Sequence, residues 1–153
     1  MSYNSKVHMK QGGDTLVVES GGAIDVESGG NIGRVCGCTF TIGAEATNVI
    51  NVGLQLTDAN GDDLDEVVCV EAFLSDASTG IGISGTAPAT SVAVGTDGAI
   101  IAEHVTKLAW LLQSEVDGDI DLDITETGAD TWYLVVVLPD GTQVVSDAIT
   151  FAA

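Results

Sequence analysis

Asp119-Ile120-Asp121-Leu122-Asp123-Ile124 alternates carboxylate and aliphatic side chains with period two. Successive side chains of a strand point to opposite faces, so this stretch reads as a β-strand with one buried face and one wet face. Downstream, residues 132–138 (Trp-Tyr-Leu-Val-Val-Val-Leu) are apolar on both faces, as expected of a central, covered strand. Pro139-Asp140-Gly141 then turns the chain back into residues 144–151. Upstream, Val49, Ile50, Val52, Leu54 and Leu56 lead into Thr57-Asp58-Ala59-Asn60-Gly61-Asp62, where Asn-Gly is a strong hairpin signal. Val67, Val68, Val70, Ala72 and Leu74 read as the partner strand. In residues 99–113, Ile101, Val105, Leu108 and Leu112 stand at helical spacing and allow one amphipathic helix. The β-branched cluster Ile100, Ile101, Val105 and Thr106, with a break at Thr106-Lys107, favours two strands instead. About seven strands at this spacing describe an all-β chain with a β-sandwich over residues 47–153.

Composition agrees. Nineteen glycines against two prolines, with abundant Val, Ile and Thr, suit strands joined by Gly, Asn and Asp turns. The 45% hydrophobic content is enough for a folded core despite a net charge of −19. The 153 residues leave room for one ordinary domain plus an N-terminal segment. No stretch approaches the roughly 20 apolar residues of a helical membrane span, so no membrane partner is expected. Met1-Ser2-Tyr3-Asn4-Ser5-Lys6 lacks the apolar run of a signal peptide, and folding in the cytoplasm is the expectation.

The charge is unevenly divided. Residues 1–34 carry Lys6, Lys10 and Arg34 against Asp14, Glu19, Asp25 and Glu27, a net of −1, which leaves −18 on the remainder with Lys107 as its only cation. Nucleic-acid binding rests on Lys and Arg neutralising phosphates, so nucleic acid is excluded as a partner. Solubility and mutual repulsion are the ordinary consequences of such acidity.

The N-terminal part is organised differently. Val18-Glu19-Ser20-Gly21-Gly22 recurs as Val26-Glu27-Ser28-Gly29-Gly30, bringing Leu16, Ile24 and Ile32 into one apolar column and Val18 beside Val26 in a second. Each unit reads as a short strand closed by a glycine turn. Two such rungs cannot enclose a core, because repeats bury their apolar faces by stacking on neighbours. Other chains are the expected neighbours, which makes residues 1–46 an extended β-repeat arm and the protein an assembly component. The interface residues expected in it are Tyr3, Lys6, His8, Lys10, Leu16, Val18, Ile24, Val26, Ile32 and Arg34. A homo-oligomer is implied, with a trimer about the arm as the favoured closed ring.

Two resemblances extend these readings. Leu56-Thr57-Asp58-Ala59-Asn60-Gly61, the later Thr96-Asp97-Gly98-Ala99 and the closing Trp132-Tyr133-Leu134-Val135-Val136 resemble bacterial and phage immunoglobulin-like domains. That resemblance implies an immunoglobulin-like β-sandwich in which Tyr133 bonds back to the backbone at a strand corner. Lys6-Val7-His8, Gln11-Gly12-Gly13-Asp14 and Leu16-Val17-Val18-Glu19-Ser20-Gly21-Gly22 resemble the opening of head decoration and head fibre proteins of tailed bacteriophages. The family implies a virion protein on the capsid surface, docked by its arm on the major capsid protein. The alternative is an immunoglobulin-like adhesion module whose loops bind host carbohydrate or protein.

Motifs for chemistry are sparse. Gly80-Ile81-Gly82-Ile83-Ser84-Gly85 matches the dinucleotide fingerprint formally, but Pro88 and its context deny it the required helix, so it reads as a loop. His104 neighbours Glu103, yet adjacent residues on a strand face opposite ways, so the two form no dyad. Cys36, Cys38 and Cys69 with a histidine could form a zinc site, but Cys-Gly-Cys lacks the gap of ordinary zinc knuckles. An odd cysteine count favours reduced thiols. The acidic groups Asp58, Asn60, Asp62, Asp63, Asp65 and Asp117, Asp119, Asp121, Asp123 do not follow the calcium-loop pattern and read as solvated, although two groups meeting at a sheet edge could hold calcium. No nucleophile, base and orienting group assemble, so the expectation is a non-enzymatic protein without cofactor.

Overall fold

The computed structural model describes residues 7–9, 16–18 and 35–152. The chain divides into two units, Met1–Gly30 and Asn31–Ala153. In the first, β1 (Val7–Met9) and β2 (Leu16–Val18) pair antiparallel, with Val7 opposite Val18, His8 opposite Val17 and Met9 opposite Leu16.

The second unit is two antiparallel sheets packed face to face. One sheet holds β3 (Gly37–Ile42), β4 (Val49–Thr57), β6 (Ser91–Val94) and β9 (Asp119–Thr125), in the order β3-β4-β9-β6. The other holds β5 (Cys69–Ser75), β7 (Ala99–Val105), β8 (Ala109–Gln113), β10 (Thr131–Val137), β11 (Gln143–Val145) and β12 (Ile149–Thr150). Its order is β11-β10-β5-β8-β7, and β12 also pairs with β10.

Alternation sets the core. Ile120, Leu122 and Ile124 of β9 are buried, as are Ile50, Val52, Leu54 and Leu56 of β4, and they meet Val70, Ala72, Leu74, Trp110, Leu112, Trp132, Leu134 and Val136 from the other sheet. Trp132 meets Phe151 edge to face, with ring centroids 6.0 Å apart. The strand at 132–138 is central, as its composition implied, with β5 on one side and β11 and β12 on the other.

Residues 99–113 form a hairpin of β7 and β8, not a helix. Lys107 takes the left-handed conformation at its tip, φ +58°. The Glu103 carboxylate accepts the Lys107 backbone N–H at 2.6 Å, which closes the turn.

Two expectations change. β5 is not the partner of β4: the two lie in different sheets, and β4 pairs with β3 and β9. The turn at 58–62 is present, but Asp58 builds it by accepting the N–H groups of Asn60 and Asp62 on its carboxylate, and the chain leaves it to cross between sheets. The sheet also begins before residue 47. β3 runs along β4 from Gly37 opposite Thr57 to Ile42 opposite Val52, and Val35 and Cys38 are buried in the core.

Gly118 shows how one end of the sandwich is tied. It sits at φ +83°, where an added Cβ would lie 2.9 Å from the Leu56 carbonyl oxygen and 3.0 Å from Leu64 Cβ. Its own carbonyl accepts the Leu56 N–H at 3.0 Å, which joins the 115–118 turn to β4.

Candidate functional site

The outward faces of the two sheets differ in chemistry, and register decides the difference. On the four-stranded sheet, Asn51, Gly53 and Gln55 of β4 stand opposite Asp123, Asp121 and Asp119 of β9. Two of these three carboxylates accept from neutral donors. Asn51 Nδ2 donates to Asp123 at 2.9 Å, and the Thr96 hydroxyl donates to Asp121 at 2.6 Å. Burial, together with the neighbouring carboxylates of Asp117, Asp97, Asp121 and Asp63, pushes the Asp119 carboxyl above its ordinary value. The two acidic groups of the sequence thus approach each other at one end of this sheet. Among the described residues, no group of three or more His, Cys, Asp or Glu side chains is placed to hold a metal ion.

The other outward face is mixed, with Ser75, Cys69, Gln113 and Gln143 set among apolar side chains. Phe73, Ala109, Leu111, Tyr133, Val135, Val137 and Val145 share it by register. Glu71 is the one carboxylate that the paired positions of these strands place there. Its Oε2 lies 3.2 Å from His104 Nε2, with both side chains about half exposed. His104 therefore meets Glu71 rather than Glu103, on an open surface that also carries the exposed Cys69 thiol two residues along β5. Tyr133 faces outward opposite Ser75. The bond back to the backbone implied for it is not among the side-chain hydrogen bonds of the described residues.

The Gly80–Gly85 segment is a loop, as its context implied, and it is firmly built. Ser84 N–H donates to the Leu74 carbonyl at 2.8 Å. The Ser84 hydroxyl donates to Asp76 at 2.5 Å, Gly85 N–H donates to the same carboxylate at 3.0 Å, and Trp132 Nε1 donates to the Thr86 carbonyl at 3.0 Å. The Ser84 and Gly85 donors hold the Asp76 carboxyl below its ordinary value. Gly80 lies on Val135 and Val145, where an added Cβ would come within 2.8 Å of Val145 Cγ2. The loop therefore covers part of that face while exposing Ile81 and Ile83.

A second hub escaped the sequence reading. Glu126 is buried, and its carboxylate accepts the N–H groups of Ala89 at 2.6 Å and of Thr127 and Gly128 at 2.7 Å. Burial alone would raise its pKa. The three donors and the Lys107 charge outweigh that and hold it below its ordinary value. Lys107 Nζ donates to the Pro88 and Ala89 carbonyls at 2.8 and 3.0 Å. One signal was available: Lys107 is the sole cation after residue 34, and in so acidic a unit it must find carbonyl or carboxylate partners.

Cys36 and Cys69 are exposed and Cys38 is buried, all as free thiols; burial pushes Cys38 up to about 12. Of the expected interface residues, His8 lies in β1 and Leu16 and Val18 in β2. Tyr3, Lys6, Lys10, Ile24, Val26, Ile32 and Arg34 lie outside the described residues. No family model, curated protein or solved structure matches the chain.

Proposed function

We propose that this chain is a non-enzymatic virion protein that decorates or stabilises the outer surface of a tailed-phage capsid. Its N-terminal arm docks on the major capsid protein, and an immunoglobulin-like sandwich follows the arm in the chain. The supporting observation is the division of the chain. β1 and β2 form a two-stranded sheet by themselves, whereas the sandwich encloses a complete core from residue 35 onward. An isolated hairpin is marginal in water, so such a segment gains its stability from a surface that it joins. Strand addition provides it: main-chain hydrogen bonds supply affinity and alternate side chains supply register.

Strand order supports the immunoglobulin-like reading. Lettered A to G along the chain, β3, β4, β9 and β6 fall as A-B-E-D, and β11, β10 and β5 as G-F-C. β7 and β8 are then a hairpin inserted between D and E that widens the second sheet. The same reading makes the protein a homo-oligomer, with three copies about the arm.

Co-sedimentation with purified capsids tests the assignment. The full chain is expected to pellet with them, and a chain lacking residues 1–34 is expected to stay in the supernatant while melting as the full chain does. Retained capsid binding by the truncated chain overturns arm docking.

A further inference from the structure

The free edge of β3 is not accounted for by arm docking. We propose that it is a pairing edge, through which two copies join their four-stranded sheets into one about a two-fold axis.

β3 lacks the protection that the other edges of the sandwich carry. Exposed edge strands are ordinarily blunted by charge, bulges, proline or short length. Among the described residues, β7 shifts register twice along β8 and carries Glu103 and His104, while β6, β11 and β12 have four, three and two residues. β3 (Gly-Cys-Thr-Phe-Thr-Ile) has six residues, an unbroken register with β4, no charge and no proline. Its hydrogen-bonding groups follow from that register. Gly43 N–H donates to the Asn51 carbonyl at 2.8 Å, so Thr41 and Thr39, two and four residues back, bond to β4 in the same sense. The main-chain groups of Cys38, Phe40 and Ile42 therefore point away from β4, and among the described residues no other strand pairs with them.

The sequence of the edge selects the partner. Thr39-Phe40-Thr41 reads alike in both directions. A two-fold axis at Phe40 makes two such strands antiparallel and sets Phe40 opposite Phe40 and Cys38 opposite Ile42, forming about six main-chain hydrogen bonds. It also sets Thr39 opposite Thr41 on the outer face, where both are exposed, and brings two half-buried Phe40 rings together on the inner face. Thr–Thr and aromatic cross-strand pairs each stabilise a sheet.

Charge permits this contact. The acid row of β9 lies two strands in from the β3 edge. With strands about 4.8 Å apart, the rows of the two copies stand five steps, about 24 Å, from each other, beyond the roughly 8 Å Debye length at physiological salt. Joining at the β6 edge would leave three steps, about 14 Å. Glu45, just past β3, is turned back to accept the Ala152 N–H at 2.8 Å.

The register supplies its own test. Full-length chains are compared by sedimentation equilibrium up to about 0.5 mM, because one strand pair is a small interface. All carry Ile24→Asp, which removes the arm's apolar column as a second source of association. The chain with Thr39 and Thr41 intact is expected to reach twice the monomer mass. Thr39→Lys with Thr41→Lys, and Thr39→Asp with Thr41→Asp, each set like charges opposite one another and are expected to return the monomer mass. An equimolar mixture of the two sets Lys opposite Asp at both places and is expected to regain the doubled mass. Both threonines are exposed, so melting of each variant is expected to stay close to that of the parent. Monomer mass with the threonines intact, unchanged mass in both charged variants, or a mixture that stays monomeric overturns the proposal. Loss of capsid co-sedimentation in the Lys variant, with the intact edge monomeric, assigns the edge to the capsid protein and overturns it as well.

Discussion

The hairpin of β1 and β2 and the sandwich of β3 to β12 are both antiparallel β structure, yet they differ in how far their strands pair and pack. The hairpin contributes three residues from each strand and pairs with no other strand among the described residues. The sandwich sets two sheets against each other and removes Val52, Leu56, Leu74, Trp110, Leu112, Leu122, Leu134 and Val136 entirely from solvent. Under the proposed arm docking, folding stability and capsid binding would reside in different segments. A substitution should disturb one with little effect on the other.

The strongest way to break that separation is to strike the sandwich where a core side chain also pins a loop. Trp132→Ala removes a fully buried indole, its contact with Phe151 and its hydrogen bond to the Thr86 carbonyl. The expected loss is about 3–5 kcal/mol in urea denaturation. Capsid binding measured below the new melting temperature should be retained, because the arm is unaltered.

Glu126→Gln should cost less, about 1–3 kcal/mol, since an amide cannot accept all three backbone N–H groups that the carboxylate serves. The same variant carries a pH signature. The folded-state pKa of Glu126 lies below its unfolded value, so its contribution is fully present above the unfolded pKa and is lost as pH falls through the folded one. Melting curves taken through the acid range should fall less steeply for Glu126→Gln than for the parent.

Asp119 has the opposite sign. Its folded pKa is raised, so the ionised group opposes folding above that value and the penalty is relieved as pH falls through it. Asp119→Asn should stabilise the sandwich at neutral pH by no more than about 1 kcal/mol, an effect that shrinks as salt screens it. Sodium chloride should raise the parent's melting temperature for the same reason, and calcium at equal ionic strength should act alike. A saturable rise specific to calcium would show that the acid row holds a metal.

The smallest expected effect on stability sharpens the comparison most. Leu16→Asp in β2 should leave the sandwich's melting within about 0.5 kcal/mol of the parent, as for substitutions outside a folded core, while abolishing co-sedimentation with capsids. A large fall in melting would show that the two units stabilise each other.

Much of the sandwich was legible because period-two patterning is a local property of the chain. The alternation at 119–124, the two-sided run at 132–138 and the break at Thr106-Lys107 each reported their own strand correctly. Pairing was less legible. Asn60-Gly61 announces a reversal of the chain, but Asp58 closes that turn from within, and nothing local states which sheet the exit joins. β3 was overlooked because Gly37, Thr39 and Thr41 face outward while Cys38 and Phe40 supply a modest apolar face. The apolar part of the outer face was hidden for a related reason. Phe73, Leu111 and Val137 come from three strands far apart in sequence, and only register lines them up. Glu126 follows the acid row as one more carboxylate, and its three N–H donors come from a neighbouring loop and from the two residues that follow it.

The thiols offer the experimenter a route into this molecule. Thiolate is the species that maleimides attack, and Cys38, buried and at about 12, holds essentially none at neutral pH. Cys36, whose N–H donates to the Thr57 carbonyl beside the four-stranded sheet, and Cys69, in the first position of β5, are both exposed. Dyes therefore attach to one thiol on each layer of the sandwich without any engineered cysteine, and energy transfer between them becomes a spectroscopic ruler for separation of the two sheets.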